Sequence, residues 1–160
     1  MERLRHRTDF RAAAAGQRAS VGAFVVQARR RAEDGPVRIG FTVSRQVGNA
    51  VERNRVRRRL REMVRLSQGG GMRDGHDYVL IGRRAALAVP FGRMRQELDT
   101  ALGRVHDRER TQERQDVRKD VRQETNQEAQ RATGGARERS LHQGSPRPAK
   151  RRPRQKPRHA

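Results

Sequence analysis

Apolar and polar positions alternate most cleanly over residues 37–44. Val37, Ile39, Phe41 and Val43 fall on one face, and Arg38, Gly40, Thr42 and Ser44 on the other. A period of two is that of a half-buried β-strand. Downstream the period changes. In GNAVERNRVRRRLREMVRL, residues 48–66, Val56, Leu60, Met63 and Val64 recur at offsets of four, seven and eight, which predicts a helix with one buried stripe. Asn49 is a good N-cap residue and Glu52, three residues on, can complete a capping box, so the helix is expected to begin there. A second stripe of Phe91, Met94, Leu98, Ala101, Leu102 and Val105 follows Pro90, a residue suited to the first turn of a final helix.

The remaining pattern is weaker. Thr8 or Asp9 can cap a short helix through Phe10 and the alanine run, with Gly16 at its C′ position. Arg18 to Arg30 reads as extended, its weight in Phe24, Val25 and Val26, with a break near Gly22. Glu33-Asp34-Gly35-Pro36 reads as a turn, and Tyr78 to Ile81 as a short apolar strand. Gly69, Gly70 and Gly71 lack a preceding strand, a following helix and a GK[ST] ending, so they read as a flexible loop rather than a phosphate cradle. After Asp107 the apolar residues nearly vanish, leaving Val117, Val121 and Leu141 isolated. Such a segment buries too little to offset chain entropy. The expected organisation is an ordered domain over residues 1–106 and a low-complexity basic tail over 107–160. That tail is expected to be disordered, transiently helical in its first part and extended over 147–158. The fold class is α+β, a sandwich of helices on a small sheet.

Charge narrows the partner. The 160 residues carry 39 Lys and Arg against 18 Asp and Glu, a net charge of +21, with 32% apolar and 3% aromatic content. That balance points to nucleic acid or an anionic membrane. No apolar run approaches the roughly 18 residues of a spanning helix, and the arginine-rich helix offers no Trp or Phe to an interface. Nucleic acid is favoured. There is no cysteine, hence no disulfide, thiolate metal site or Cys nucleophile. The first residues, MERLRHRTDF, have no apolar core of a secretion signal, so a cytoplasmic protein is expected.

At roughly 100° per residue, Arg57, Arg61, Asn54, Arg65 and Arg58 form a band beside the buried stripe, with Arg53 at its edge. Arg53, Arg57, Arg61 and Arg65 follow one another at i,i+4, and each like-charge pair costs about 0.2–0.5 kcal/mol. Arg53 also stands in the first turn, where the helix dipole disfavours a cation. The helix repels itself unless a polyanion lies along this flank. Arginine rather than lysine suits bidentate phosphate contacts.

Chemistry within the protein itself is not expected. His6, His76, His106, His142 and His159 show no HxxxH or HExxH spacing, so no metal is expected on the protein. Glu52 is accounted for as a cap and Glu62 as an ion-pair partner of a neighbouring arginine. Asp74 and Asp77 flank a loop before a strand. No carboxylate pair suited to acid–base work is apparent and no catalytic residue is assigned.

The passage RIGFTVSRQVGNAVERNRVRRRLREMVR resembles the signature of the bacterial ribonuclease P protein component, with its GNAVxRNxxKRxxR core. The opening RLRHRTDF, the later HDYVLIGRR and the closing helix extend the resemblance over about residues 3–105, leaving the tail outside it. The resemblance implies an αβββαβα sandwich on a small mixed sheet, with a left-handed βαβ crossover as in ribosomal protein S5 domain 2. It implies an endoribonuclease subunit that binds the catalytic RNA, one protein per RNA, and the 5′ leader of precursor tRNA. Mg²⁺ and the hydrolytic chemistry belong to the RNA, and the protein alone needs no cofactor. Carried over by position, the RNA contacts fall on Arg53, Asn54, Arg57, Arg58 and Arg61, with Arg45 and Arg65 beside them. The leader cleft falls on Phe10, Phe24, Val25 and Gln27. Arg57 replaces a usual lysine, Ser44-Arg45-Gln46 holds one cation where two are common, and Ala14 and Gln27 replace larger or aromatic residues. Base–aromatic stacking is worth about 1–3 kcal/mol per base, so leader recognition is expected to lean on charge.

Overall fold

A computed structural model describes the backbone of residues 1–140 and the side chains of residues 1–127. Five strands form one mixed sheet: β1 (Glu2–Arg3), β2 (Gln17–Ser20), β3 (Phe24–Arg30), β4 (Arg38–Val43) and β5 (His76–Gly82), in the order β1-β4-β5-β3-β2. Three helices accompany it, α1 (Arg7–Ala14), α2 (Ala50–Leu66) and α3 (Phe91–Ser140), with short 3₁₀ turns at Arg45–Val47 and Arg84–Leu87. β4 and β5 are parallel neighbours joined through α2, the βαβ unit the resemblance implies, whereas β2, β3 and β5 pair antiparallel. The α+β sandwich is therefore the one expected, with β1 as a short added edge strand parallel to β4.

Strand alternation sets the layers. Tyr78 and Leu80 of β5 join Phe24, Val26, Ala28 and Ile39 in the main core, under α2 and α3. Val79 and Ile81 point the other way and pack with Leu4, Phe10 and Ala13 under α1. The stripe expected on α2 is the one buried: Val56, Leu60, Met63 and Val64 are each no more than 2% exposed. Burying four such side chains contributes roughly 6–12 kcal/mol as an upper figure. Repulsion between successive arginines costs on the order of 1 kcal/mol. Packing therefore holds the helix against its own charge.

The boundaries differ in three places. α1 begins at Arg7 with His6 as N-cap and no side-chain cap, rather than at Thr8 or Asp9. Asp9 lies instead 3.7 Å from Arg38. β5 starts two residues before Tyr78, taking in His76 and Asp77. The last helix continues past the 106/107 boundary to Ser140, where composition had suggested an unstructured tail from residue 107. Polar contacts extend its first stretch: Gln112 accepts from Gln17, Glu113 pairs with Arg30 at 3.1 Å, and Arg108 reaches the Arg18 carbonyl. These residues belong to a compact unit spanning Met1–Gln115, followed by a second unit, Asp116–Ala160. Within the second, Asp116 and Lys119 pair at 3.7 Å, while Val117 and Val121 are exposed. The expectation of an extended stretch over 147–158 lies outside the described residues. Among the described residues no helix is long and apolar enough to cross a membrane.

Candidate nucleic-acid interface

The strand-to-helix passage that carries the basic motif is fixed by a local device. The Asn49 side chain accepts from the Glu52 amide at 2.9 Å while the Glu52 carboxylate accepts from the Asn49 amide at 2.9 Å, the reciprocal capping box read from the sequence. Gly48 is required beside it: its φ is 150°, and a Cβ there would sit 1.8 Å from Glu52 Oε2. Arg84 ties the same corner from outside, donating to the Val47 carbonyl at 2.8 Å and pairing with Glu52 at 3.3 Å. Val47 is buried, so the 3₁₀ turn that presents Arg45 is anchored to the core. Asn49→Ala should cost about 1 kcal/mol of stability, read as a lowered urea midpoint with unchanged slope.

The structure gathers Arg53, Asn54, Arg57, Arg58 and Arg61 on one flank of α2, with exposed Arg45 on the turn before it. Arg57 donates to Asn54 Oδ1 at 3.0 Å, and Arg53 to the Gly48 carbonyl at 3.0 Å, which pre-orients both without neutralising either. No carboxylate among the described residues lies within about 4 Å of Arg45, Arg53, Arg57, Arg58 or Arg61, the reach of an ion pair. Arg65 differs, since Glu62 holds it by two bonds of 3.0 and 2.6 Å. That pair keeps the Glu62 carboxyl below its usual range through the hydrogen bond from Arg65. Arg65 is in the band but its charge is already matched.

Arg59, in the middle of the basic motif, serves the fold. It lies on the opposite flank and donates to the Leu87 and Val89 carbonyls at 2.8 and 2.5 Å, closing the segment before α3. Sequence spacing alone places it roughly 160° from Arg57, a signal that the motif viewed as a string conceals.

The residues assigned to a leader cleft do not all share a face. Phe10 is half-buried on α1, its ring over Gly40, where an added Cβ would stand 2.5 Å from the ring edge. Val25 and Gln27 face the same side, paired in register with Ile81 and Val79, but Val25 is only 2% exposed and Gln27 9%, so Val25 supports this surface from below rather than lining it and Gln27 reaches it at its edge. Phe24 is fully buried in the main core on the far side of the sheet, so its place in the cleft is corrected. Successive strand residues point to opposite faces, and Phe24 and Val25 could not both line one cleft. The residues that do extend this surface are Thr42 and Ile81, cross-strand partners and both half-exposed. Their period-two positions were legible, but β5 had no assigned face without its neighbours.

Several carboxylates are already occupied. Asp77 stands in β5 opposite Arg38 of β4 and is 1% exposed; Arg38 meets it with two bonds of 2.7 Å and Arg31 adds one of 2.9 Å. Burial pushes the Asp77 carboxyl up, and the hydrogen bonds from Arg38 and Arg31 outweigh it, holding the group below its ordinary value. Asp74 accepts from the Val37 amide at 3.3 Å, and Glu97 from the Ala23 amide at 2.9 Å. A further polar cluster, His76, His106, Glu109 and Tyr78, lies where α3 crosses β5. Its members are up to 33 residues apart, so no short histidine spacing along the chain marks it. Burial, together with the charge of Arg73, lowers the His106 pKa, and burial pushes Tyr78 up to about 12.

A family model described as Ribonuclease P matches residues 1–106. The chain is 48% identical over 106 residues to the ribonuclease P protein component of Ruegeria pomeroyi, covering 64% of this chain and 85% of that one. It is 46% identical over 102 residues to the ribonuclease P protein component of Caulobacter vibrioides, covering 63% and 68%. Among solved structures, the ribonuclease P protein of Thermotoga maritima superposes with a TM-score of 0.56 at 34% identity, over 66% of this chain and 98% of that one. That of Staphylococcus aureus gives 0.55 at 26% identity, over 64% and 94%.

Proposed function

The chain belongs to the ribonuclease P protein family, and we propose that it is the protein subunit of the cytoplasmic enzyme, binding the catalytic RNA and the 5′ leader of precursor tRNA. The observation that carries this reading is the flank of α2 on which Arg53, Arg57, Arg58 and Arg61 stand beside Asn54 with no carboxylate among the described residues to neutralise them. The guanidinium groups engage the phosphates of the RNA, and Arg45 extends the contact beyond the helix N-terminus. The leader lies on the α1 face of the sheet, over Phe10, Gln27, Thr42 and Ile81.

Hydrolysis belongs to the RNA and the Mg²⁺ bound to it. Four carboxylates in structural roles support this division: Glu52 caps a helix, Glu62 and Asp77 are held by arginines, and Glu97 holds a backbone amide. The protein contributes orientation, fixing the scissile phosphate relative to the RNA active site, and added positive charge that offsets phosphate repulsion as the RNA folds. If about five phosphates are neutralised, the logarithm of affinity falls against the logarithm of salt with a slope of about −3.5 to −4.5.

Reconstitution tests the assignment. The chain, mixed with transcribed ribonuclease P RNA and precursor tRNA, should produce cleavage at the mature 5′ end and lower the Mg²⁺ midpoint. Binding that leaves the midpoint and the rate unchanged would make the chain an RNA packager instead.

A further inference from the structure

Where α3 crosses β5, two imidazoles and a carboxylate converge. His76 opens β5, while His106 and Glu109 lie three residues apart on α3, and candidate donor atoms of the three all stand within 4.8 Å of one another. His76 Nδ1 is 2.9 Å from the Asp74 carbonyl. A carbonyl only accepts, so Nδ1 carries the hydrogen and Nε2 is the atom turned toward Glu109, at 3.0 and 3.2 Å from its two oxygens. His106 Nε2 lies 2.9 Å from the Gly71 carbonyl and 3.2 Å from the Tyr78 hydroxyl, and the nearer partner, which only accepts, places the hydrogen on Nε2. Its Nδ1 then faces Glu109 Oε2 at 3.5 Å. With the hydrogens of Nδ1 of His76 and Nε2 of His106 turned to backbone carbonyls, the other nitrogen of each ring gathers with the Glu109 carboxylate into a donor set for a cation.

We propose that His76, His106 and Glu109 form a binding site for one divalent transition-metal ion, zinc by the nature of its ligands, which fastens α3 to the sheet. Zinc holds nitrogen and oxygen ligands at about 2.0–2.2 Å, so neighbouring ligands in a tetrahedron stand roughly 3.4 Å apart. Glu109 Oε2 stands 3.2 Å from His76 Nε2 and 3.5 Å from His106 Nδ1, close to that spacing. Backbone carbonyls orient both histidines from behind, the arrangement that fixes tautomer and ring direction in metal sites. Two imidazoles disfavour Mg²⁺ and Ca²⁺, which prefer oxygen. A cavity of about 260 Å³ opens beside His76 and Glu109, and its wall includes Arg30, Arg31 and Arg73 as well as Asp34, Asp74 and Glu113, so positive and negative charges both face it. Arg73, 4.0 Å from Glu109, opposes the metal and weakens it. The competing occupant is a proton on His76 Nε2, giving an imidazolium–carboxylate pair.

Calorimetric titration of the full chain with Zn²⁺, in a background where His142 and His159 are replaced by Gln, distinguishes the two. One site is expected, with Co²⁺ substituting to give a tetrahedral visible spectrum. Glu109→Gln, which keeps the side-chain shape, should weaken Zn²⁺ binding at least about tenfold, in line with what metal sites lose when a supporting group is altered, and should abolish the spectrum. Arg73→Gln should tighten binding, and Zn²⁺ should raise the melting temperature of the parent but not of Glu109→Gln. Circular dichroism confirms that the variants fold. Equal Zn²⁺ affinity in the parent and Glu109→Gln, or no Co²⁺ spectrum from the parent, would overturn the site and leave the proton-held pair.

Discussion

Replacing Arg57, Arg58 and Arg61 together by alanine should weaken binding to ribonuclease P RNA by at least about two orders of magnitude at moderate salt, with the fold intact. The size follows from three guanidinium–phosphate hydrogen bonds. A hydrogen bond to a charged group contributes about 1.5–3 kcal/mol, and three of them exceed the roughly 2.8 kcal/mol that a hundredfold change represents. Stability should hardly change, because among the described residues none of the three has a carboxylate partner and Arg57 bonds to exposed Asn54 alone. Removing neighbouring like charges even relieves some repulsion along α2. The salt dependence separates this effect from a general one: each phosphate interaction removed should flatten the slope by about one. Arg59→Ala supplies the contrast. It should lower stability by unpairing the Leu87 and Val89 carbonyls while leaving the salt slope near its parent value.

Asp77→Ala is expected to be the most destabilising single change, at about 3–5 kcal/mol, measured by urea unfolding at neutral pH. Removing one member of a buried ion pair leaves the others uncompensated. Arg31 is 13% exposed and Arg38 30%, so partial access to water places the effect toward the lower end of that range. The pH dependence has a defined sign. The Asp77 carboxyl is held below its ordinary value in the fold, so its contribution is present above the unfolded value near about 3.9 and is lost as pH falls through the folded value. The parent should therefore lose stability in acid over that window, and Asp77→Ala should lose correspondingly less.

What could be read from the chain depended on how local each determinant was. The capping box pairs Asn49 with Glu52, three positions on, and the buried stripe of α2 runs from Val56 to Val64, eight positions on, so both were legible. The arginine band followed from the same periodicity. Phe24 was misassigned because a resemblance names a region, whereas strand alternation decides a face. Asp77 looked like the edge of a loop, since a carboxylate beside an apolar run signals a boundary. Only Arg31 and Arg38, from 46 and 39 residues away, explain its burial. His76, His106 and Glu109 meet only once α3 lies across β5, and no short motif encodes that crossing. The continuation of α3 beyond Val105 rested on polar contacts with β2 and β3, which a hydrophobic pattern cannot register.

The absence of cysteine allows a direct test of where the RNA lies. A single cysteine at Arg65, in the band but already matched by Glu62, and another at exposed Thr100 on α3 can each carry a tethered Fe–EDTA group. In complex with ribonuclease P RNA, hydroxyl-radical cleavage should be strong and confined to a few segments from position 65, and weak from position 100. Strong cleavage from position 100 with none from 65 would contradict the placement of RNA along this flank of α2.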